Sequence, residues 1–132
     1  MLLDELAVYA ATLGLTYPIK KGWLPKGVDA AVCIREAGGT GDELGFGVAG
    51  IQFEHPVVHV EVRGVAEDYA GPRSELEKIY QGFPKIQAQT LNSTGYYHTV
   101  IPRQSPFLAH IDEKRRPVLA VVFDVTKKPS TA

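Results

Sequence analysis

Hydrophobic and polar positions along this chain change period several times, and each change marks an element. Leu2, Leu6, Tyr9 and Leu13 form one stripe at helical spacing, broadened by Leu3 and Ala10. Asp4 and Glu5 stand in its first turn, where the helix dipole favours acids, and Gly14 ends it. The segment Thr16 to Asp29 connects to a strand at 30–36, in which Val32 and Ile34 share one face and Cys33 and Arg35 the other. Six glycines then fall between Gly38 and Gly50, too long a stretch for a tight hairpin. It is read as a mobile arm whose second half extends the next strand backwards through Ile51 and Phe53.

The run from His55 to Phe83 joins one alternating strand to one amphipathic helix. Val58, Val60 and Val62 point one way and His59, Glu61 and Arg63 the other, because strand side chains alternate and β-branched residues suit the pleated backbone. After Gly64, Tyr69, Leu76, Ile79, Tyr80 and Phe83 recur at helical spacing, with Arg73, Glu75, Glu77 and Lys78 opposite. Asp68 is the expected N-cap, with Pro72 tolerated in the first turn. A loop from Pro84 leads to a third strand, Tyr96 to Ile101, closed by Pro102. A polar, proline-bounded segment follows, and then a fourth strand in which Leu119, Val121, Phe123 and Val125 share a face.

This order predicts an α+β domain over residues 1–126: a mostly antiparallel four-stranded sheet covered on one face by two helices, with a long Gly-rich arm between the first two strands. Residues 127–132 are read as a disordered tail. The uncovered sheet face would carry Cys33, Val57, Ala120 and Val122 beside Arg35, His59, Glu61, Arg63 and Asp124. A mixed face of that kind suggests contact between subunits.

Composition narrows the possibilities. At 132 residues, 45% hydrophobic and 22% charged, the chain fits one domain able to bury roughly two thirds of its unfolded surface. Its net charge of −1 gives no basic field for counterion-releasing binding to nucleic acid. The N-terminus is acidic where a signal peptide is basic, and no apolar run approaches the roughly 20 residues that span a membrane. The expectation is a soluble protein made in a cytoplasm. Cys33 is the only cysteine, so no intrachain disulfide can form, and its apolar neighbours make it a small buried hydrophobe.

Tests for chemistry come back weak. GFGVAG, Gly45 to Gly50, matches the dinucleotide pattern, but that pattern works only where a helix N-terminus follows, and here IQFEHP does. His55, His59 and Glu61 can share a strand face and His59 with Glu61 can reach one metal ion, yet a third ligand must come from elsewhere, with His98 and His110 as distant candidates. Ser105 has no nucleophile elbow around it. Asp112 to Arg116 most simply make a solvated turn, with partner docking as the alternative. Trp23 is either a core lid or an interface anchor, because so large a ring seldom stays exposed without a partner. The expectation is therefore no catalytic residues, no cofactor and no metal.

Four segments in order, Leu24 to Gly39, His55 to Phe83, Gly95 to Phe107 and Asp112 to Val125, give the chain a resemblance to the tail-completion or tail-terminator proteins of long-tailed bacteriophages, often labelled minor capsid proteins. The glycine content of the arm and Pro72 depart from the pattern. The resemblance implies a structural virion protein in the tail-neck region, made in the host bacterial cytoplasm and not an enzyme. It implies a hexameric ring of this chain that binds the last ring of tail tube protein, ends tube growth and offers a joining surface to the head-tail connector. It implies no membrane partner, and DNA only in passage through the ring lumen. Under that reading Arg35, Phe46, His59, Glu61, Arg63 and Asp124 are the interface candidates, with Arg35, Glu61, Arg63 and Asp124 forming ion pairs between subunits. A head-side connector or head-closure protein, a small metal-dependent hydrolase using His55, His59 and Glu61, and a host protein of the same fold are the alternatives.

Overall fold

The alternating valines do build the centre of a sheet, and the sheet is wider than the pattern alone predicts. The structure, a computed structural model, describes residues 2–44, 51–91 and 95–128, with side chains described except at 39–44 and 51–52. Helix α1 (Leu2–Ala10) runs into a 3-10 turn at Ala11–Leu13. Strands β1 (Ile19–Lys21), β2 (Ala31–Leu44) and β3 (Ile51–Arg63) precede helix α2 (Ala70–Gly82), which ends in a 3-10 turn at Phe83–Lys85. Strands β4 (Gln87–Leu91), β5 (Gly95–Pro102), β6 (Phe107–Ile111) and β7 (Pro117–Lys127) follow.

The strands form one seven-stranded sheet in the order β1-β2-β3-β7-β5-β4, with β6 also pairing β7. Only β1 and β2 are parallel; the other pairs are antiparallel. The four expected strands are β2, β3, β5 and β7, and three short ones join them from segments read as connection, loop and polar turn. One edge of β7 carries β3. The other carries β5 along Phe123–Lys127 and β6 along Pro117–Ala120, so the chain from Gly95 to Ile111 follows β7 with a break near 103–106.

The Gly-rich arm is not simply a loose connection. As far as it is described it is a two-stranded ribbon, with Thr40 opposite His55, Glu43 opposite Phe53 and Leu44 opposite Ile51, and with register shifts between those pairs. Extra residues on one strand against the other are how a ladder absorbs glycine-rich sequence without losing its pairing. The backward extension of the second strand through Ile51 and Phe53 agrees with the expectation. Beyond Glu54, paired with Lys127, β3 pairs only with β2 among the described residues. The dinucleotide-like Gly45 to Gly50 and the candidate Phe46 lie outside the described residues, and the element that follows them is a strand.

Both helices cover one face. Val58, Val60 and Val62 from β3 meet Leu119, Val121 and Phe123 from β7 under Leu76 and Ile79 of α2, Phe83 of the turn that follows it, and Leu2, Leu6 and Ala10 of α1. Leu76, Ile79 and Phe83 are fully buried, each contributing about 1.5–3 kcal/mol by removal from water. The Phe83 ring lies 5.1 Å from that of Phe123 and 6.1 Å from that of Tyr9, whose hydroxyl donates to the Gly82 carbonyl at 3.2 Å.

Pro72 keeps the place expected of it in the first turn of α2, while the start of the helix and its polar side differ from expectation. The helix begins at Ala70 rather than directly after Asp68, although the Asp68 carboxylate still accepts the Gly71 N–H at 3.1 Å. Pro72 does not interrupt the helix: it sits in the first turn, where its missing N–H removes no intrahelical bond, and it is buried against Gly64. A Cβ on Gly64 would lie 2.6 Å from Pro72 Cγ and 2.8 Å from the Asp68 carbonyl, so glycine is required there. Tyr69 precedes the helix and is half exposed, whereas Glu75, assigned to the solvated side, is buried. Its carboxylate accepts the Thr16 N–H at 3.1 Å and the Thr16 hydroxyl, pinning the segment after α1 to α2.

At the C-terminal end, β7 includes Lys127, which is buried, bonds Glu54 at 3.5 Å and lies over the Tyr97 ring. The tail boundary drawn at 127 therefore falls inside the sheet, and residues 129–132 lie outside the described ones.

Candidate functional site: the open face of the sheet

Neighbouring strands place their residues in rungs, and the rungs carry the face that the helices leave uncovered. Cys33, Glu61, Ala120 and Phe107 make one rung. Arg35, His59 and Val122 make the next, and Ala37, Val57, Asp124 and Ile101 a third. The pairing brings together Arg35, His59 and Glu61 as the alternation implied. Side chains opposite one another on adjacent strands are within reach, so these rungs decide which charges meet.

The apolar members form a floor. Cys33, Val57, Val118, Ala120 and Val122 are all buried, whereas Phe107 and Ile101, at 39% and 56% exposure, stand at its margin. Burial, with the Glu61 charge nearby, pushes the Cys33 thiol up to about 11, so it is un-ionised at neutral pH.

Above the floor the charges pair within the chain. Arg35 Nε donates to Glu61 Oε1 at 2.6 Å and Arg35 Nη2 lies 3.3 Å from His59 Nδ1. A guanidinium has no acceptor, so Nδ1 accepts and the imidazole proton sits on Nε2. Burial first, and then the charges of Arg35 and Arg103, hold His59 below its ordinary value. Asp124 accepts from Arg103 Nη2 at 2.6 Å and from Nε at 3.3 Å. Arg103 was invisible to pattern reading, because 21 residues separate it from Asp124 and its segment reads only as polar.

Arg63 belongs to the same face but is taken up by its own chain. It is 6% exposed, and its guanidinium donates to the carbonyls of Asp29 at 2.8 Å, Pro25 and Val28. Arg116, also buried, donates to Asp112 at 2.7 Å and to Asp29 at 3.0 Å. The charge cluster at 112–116 is thus a built turn: the Asp112 carboxylate accepts the N–H groups of Lys114 and Arg116, and Arg115 bonds Glu67 at 2.7 Å. Trp23 lies next to the loop these arginines hold and is 77% exposed, which excludes the core-lid role.

His55, His59 and Glu61 do lie at alternate positions of β3, but the Arg35 guanidinium occupies the space beside His59 and Glu61, and His55 Nδ1 faces the Thr126 hydroxyl at 3.4 Å. Among the described residues no group of three or more His, Cys, Asp and Glu side chains is placed to hold a metal ion. No helix among the described residues is long and apolar enough to cross a membrane. The chain matches no protein-family model and no curated protein.

Proposed function

We propose that this chain is a structural virion protein of a long-tailed phage, which assembles as a ring on the end of the tail tube, stops its growth and forms a joining surface for the head. The observation that carries the reading is the two-sided build of the sheet: helices on one face, and on the other a broad surface of paired charges over an apolar floor, from which the β2–β3 ribbon continues past the end of β7. A surface set with fixed ion pairs suits partner registration better than bond-making, since such pairs confer orientation more than affinity. Capping requires one subunit face that fits the tube and another that refuses more tube protein. Glu61, Arg35, His59 and Asp124 are the residues assigned to the subunit or tube contact, with the ribbon beside them. Arg63 is assigned instead to holding the loop before β2.

Deletion of the gene from the phage tests the proposal. Overlong tubes and unjoined heads are expected; tails of normal length attached to heads would falsify it, and normal-length tails lacking heads would favour the head-side connector.

A further inference from the structure

One row of residues across the open face holds three basic side chains that each keep an unused N–H donor. Arg35 lies opposite His59, and His59 opposite Val122. The Arg103 N–H donates to the Val122 carbonyl at 2.7 Å, which continues the row past β7. The Arg103 guanidinium is on the open face, because Asp124, which it bonds, stands there opposite Val57. The order across the face is thus Arg35, His59, Val122, Arg103, with one small buried side chain between the imidazole and the second guanidinium.

The hydrogen bonds already made show which donors are left. Arg35 spends Nε on Glu61 and Nη2 on His59, and Arg103 spends Nε and Nη2 on Asp124, so Nη1 of both has no acceptor among the described residues. His59 Nδ1 takes the Arg35 bond, so its proton is on Nε2, which points away from Arg35 and has no acceptor among the described residues either. The two arginine side chains are 40% and 54% exposed, which leaves these donors open to a solute. Arg103 is near enough for its charge to oppose protonation of His59.

Oxyanions are what such donors bind, and the charge balance selects among them. Arg35 and Arg103 are offset by Glu61 and Asp124, so every further negative charge is set against those two acids. A carboxylate brings one charge and two acceptor oxygens, enough to bridge neighbouring donors, whereas phosphate near neutral pH brings more charge to the same place.

We infer that the Arg35–His59–Arg103 row is a receptor for a single carboxylate, the side chain of an aspartate or glutamate on a protein that contacts this face. The inference goes beyond the capping role and holds whichever protein supplies the acid.

Acetate is the first probe. The full chain is titrated at pH 7.5 and constant ionic strength while NMR follows the ring C–H signals of the four histidines and the arginine Nε–H signals. His59 and Arg103 are expected to shift together and to saturate, with half-saturation on the order of 10 mM because a few hydrogen bonds act without apolar burial. His98 and His110, exposed and outside the row, should hold still. Arg103→Gln should abolish the His59 shift, whereas Arg115→Gln, which removes another exposed arginine with a carboxylate partner, should leave it intact. Both positions are on the surface, and circular dichroism confirms that the variants remain folded. A blocked Gly-Glu-Gly peptide should reproduce the acetate shifts; shifts with acetate and none with the peptide overturn the protein-borne source. A drift of all four histidines that chloride matches, or tighter saturation by phosphate than by acetate, overturns the carboxylate receptor and leaves the capping role to the phage deletion.

Discussion

The Glu5 carboxylate accepts a hydrogen bond from the Tyr97 hydroxyl at 2.7 Å, and both side chains are fully buried. The bond joins α1 to β5 across 92 positions of sequence. Burial, and then the bond to Glu5, push the tyrosine well above its ordinary range, so it is the proton donor at neutral pH. Tyr97→Phe is expected to lower stability by about 1–3 kcal/mol, because a buried carboxylate loses one of its bonds. In a denaturation cycle with Glu5→Ala the two losses should not add, with coupling of about 1 kcal/mol or more. Gly95→Ala should be at least as damaging, since its Cβ would collide with both Glu5 oxygens.

Cys33 gives a second check, on the floor of the open face. Its burial and raised pKa predict that an alkylating reagent at pH 8 leaves the native thiol unmodified and labels it as denaturant unfolds the protein. Rapid labelling in native buffer, followed by mass spectrometry, would show the floor to be open.

His59 should make the fold acid-sensitive. Its folded pKa lies below the ordinary 6.5, so the unfolded chain binds the proton more readily and stability rises with pH through this window. The contribution is complete above about pH 6.5 and is lost as pH falls through the folded value. Denaturant midpoints measured from pH 8 to pH 5 should fall less steeply for His59→Gln than for the wild type; parallel profiles would contradict the assignment.

Arg63 should matter to the loop more than to any ion pair. Arg63→Ala strands the carbonyls of Pro25, Val28 and Asp29 and is expected to cost about 2–4 kcal/mol. Trp23 fluorescence anisotropy should drop as the loop loosens. Asp124→Ala, breaking a pair whose side chains are both about half exposed, should cost under about 1 kcal/mol.

What could be read in advance follows from where each signal originates. Val58, Val60, Val62, Leu119, Val121 and Phe123 alternate because β3 and β7 lie in the middle of the sheet with one face under the helices, so their faces and the placement of Arg35, His59, Glu61 and Asp124 opposite the helices were legible. Strands β1, β4 and β6 were not: IKK, QAQTL and FLAHI are short and largely exposed, and their burial does not alternate. Glu5 reads as an ordinary first-turn acid and Glu75 as a solvated helix residue. Only the arrival of Tyr97 and Thr16 from distant positions makes them core groups. The partners of Asp124 and Arg63 were hidden for the same reason, since Arg103 and the carbonyls of the 25–29 loop are brought in by topology.

Tube length tests the proposed role of ending tube growth. Under the proposed phage role, tail tube protein encoded in the same genome is polymerised with increasing amounts of the purified chain, and lengths are scored by electron microscopy. Shorter, capped tubes, with one end carrying the added protein at amounts far below the tube subunit concentration, are the predicted result. Tubes whose length distribution is unchanged at every ratio would contradict it.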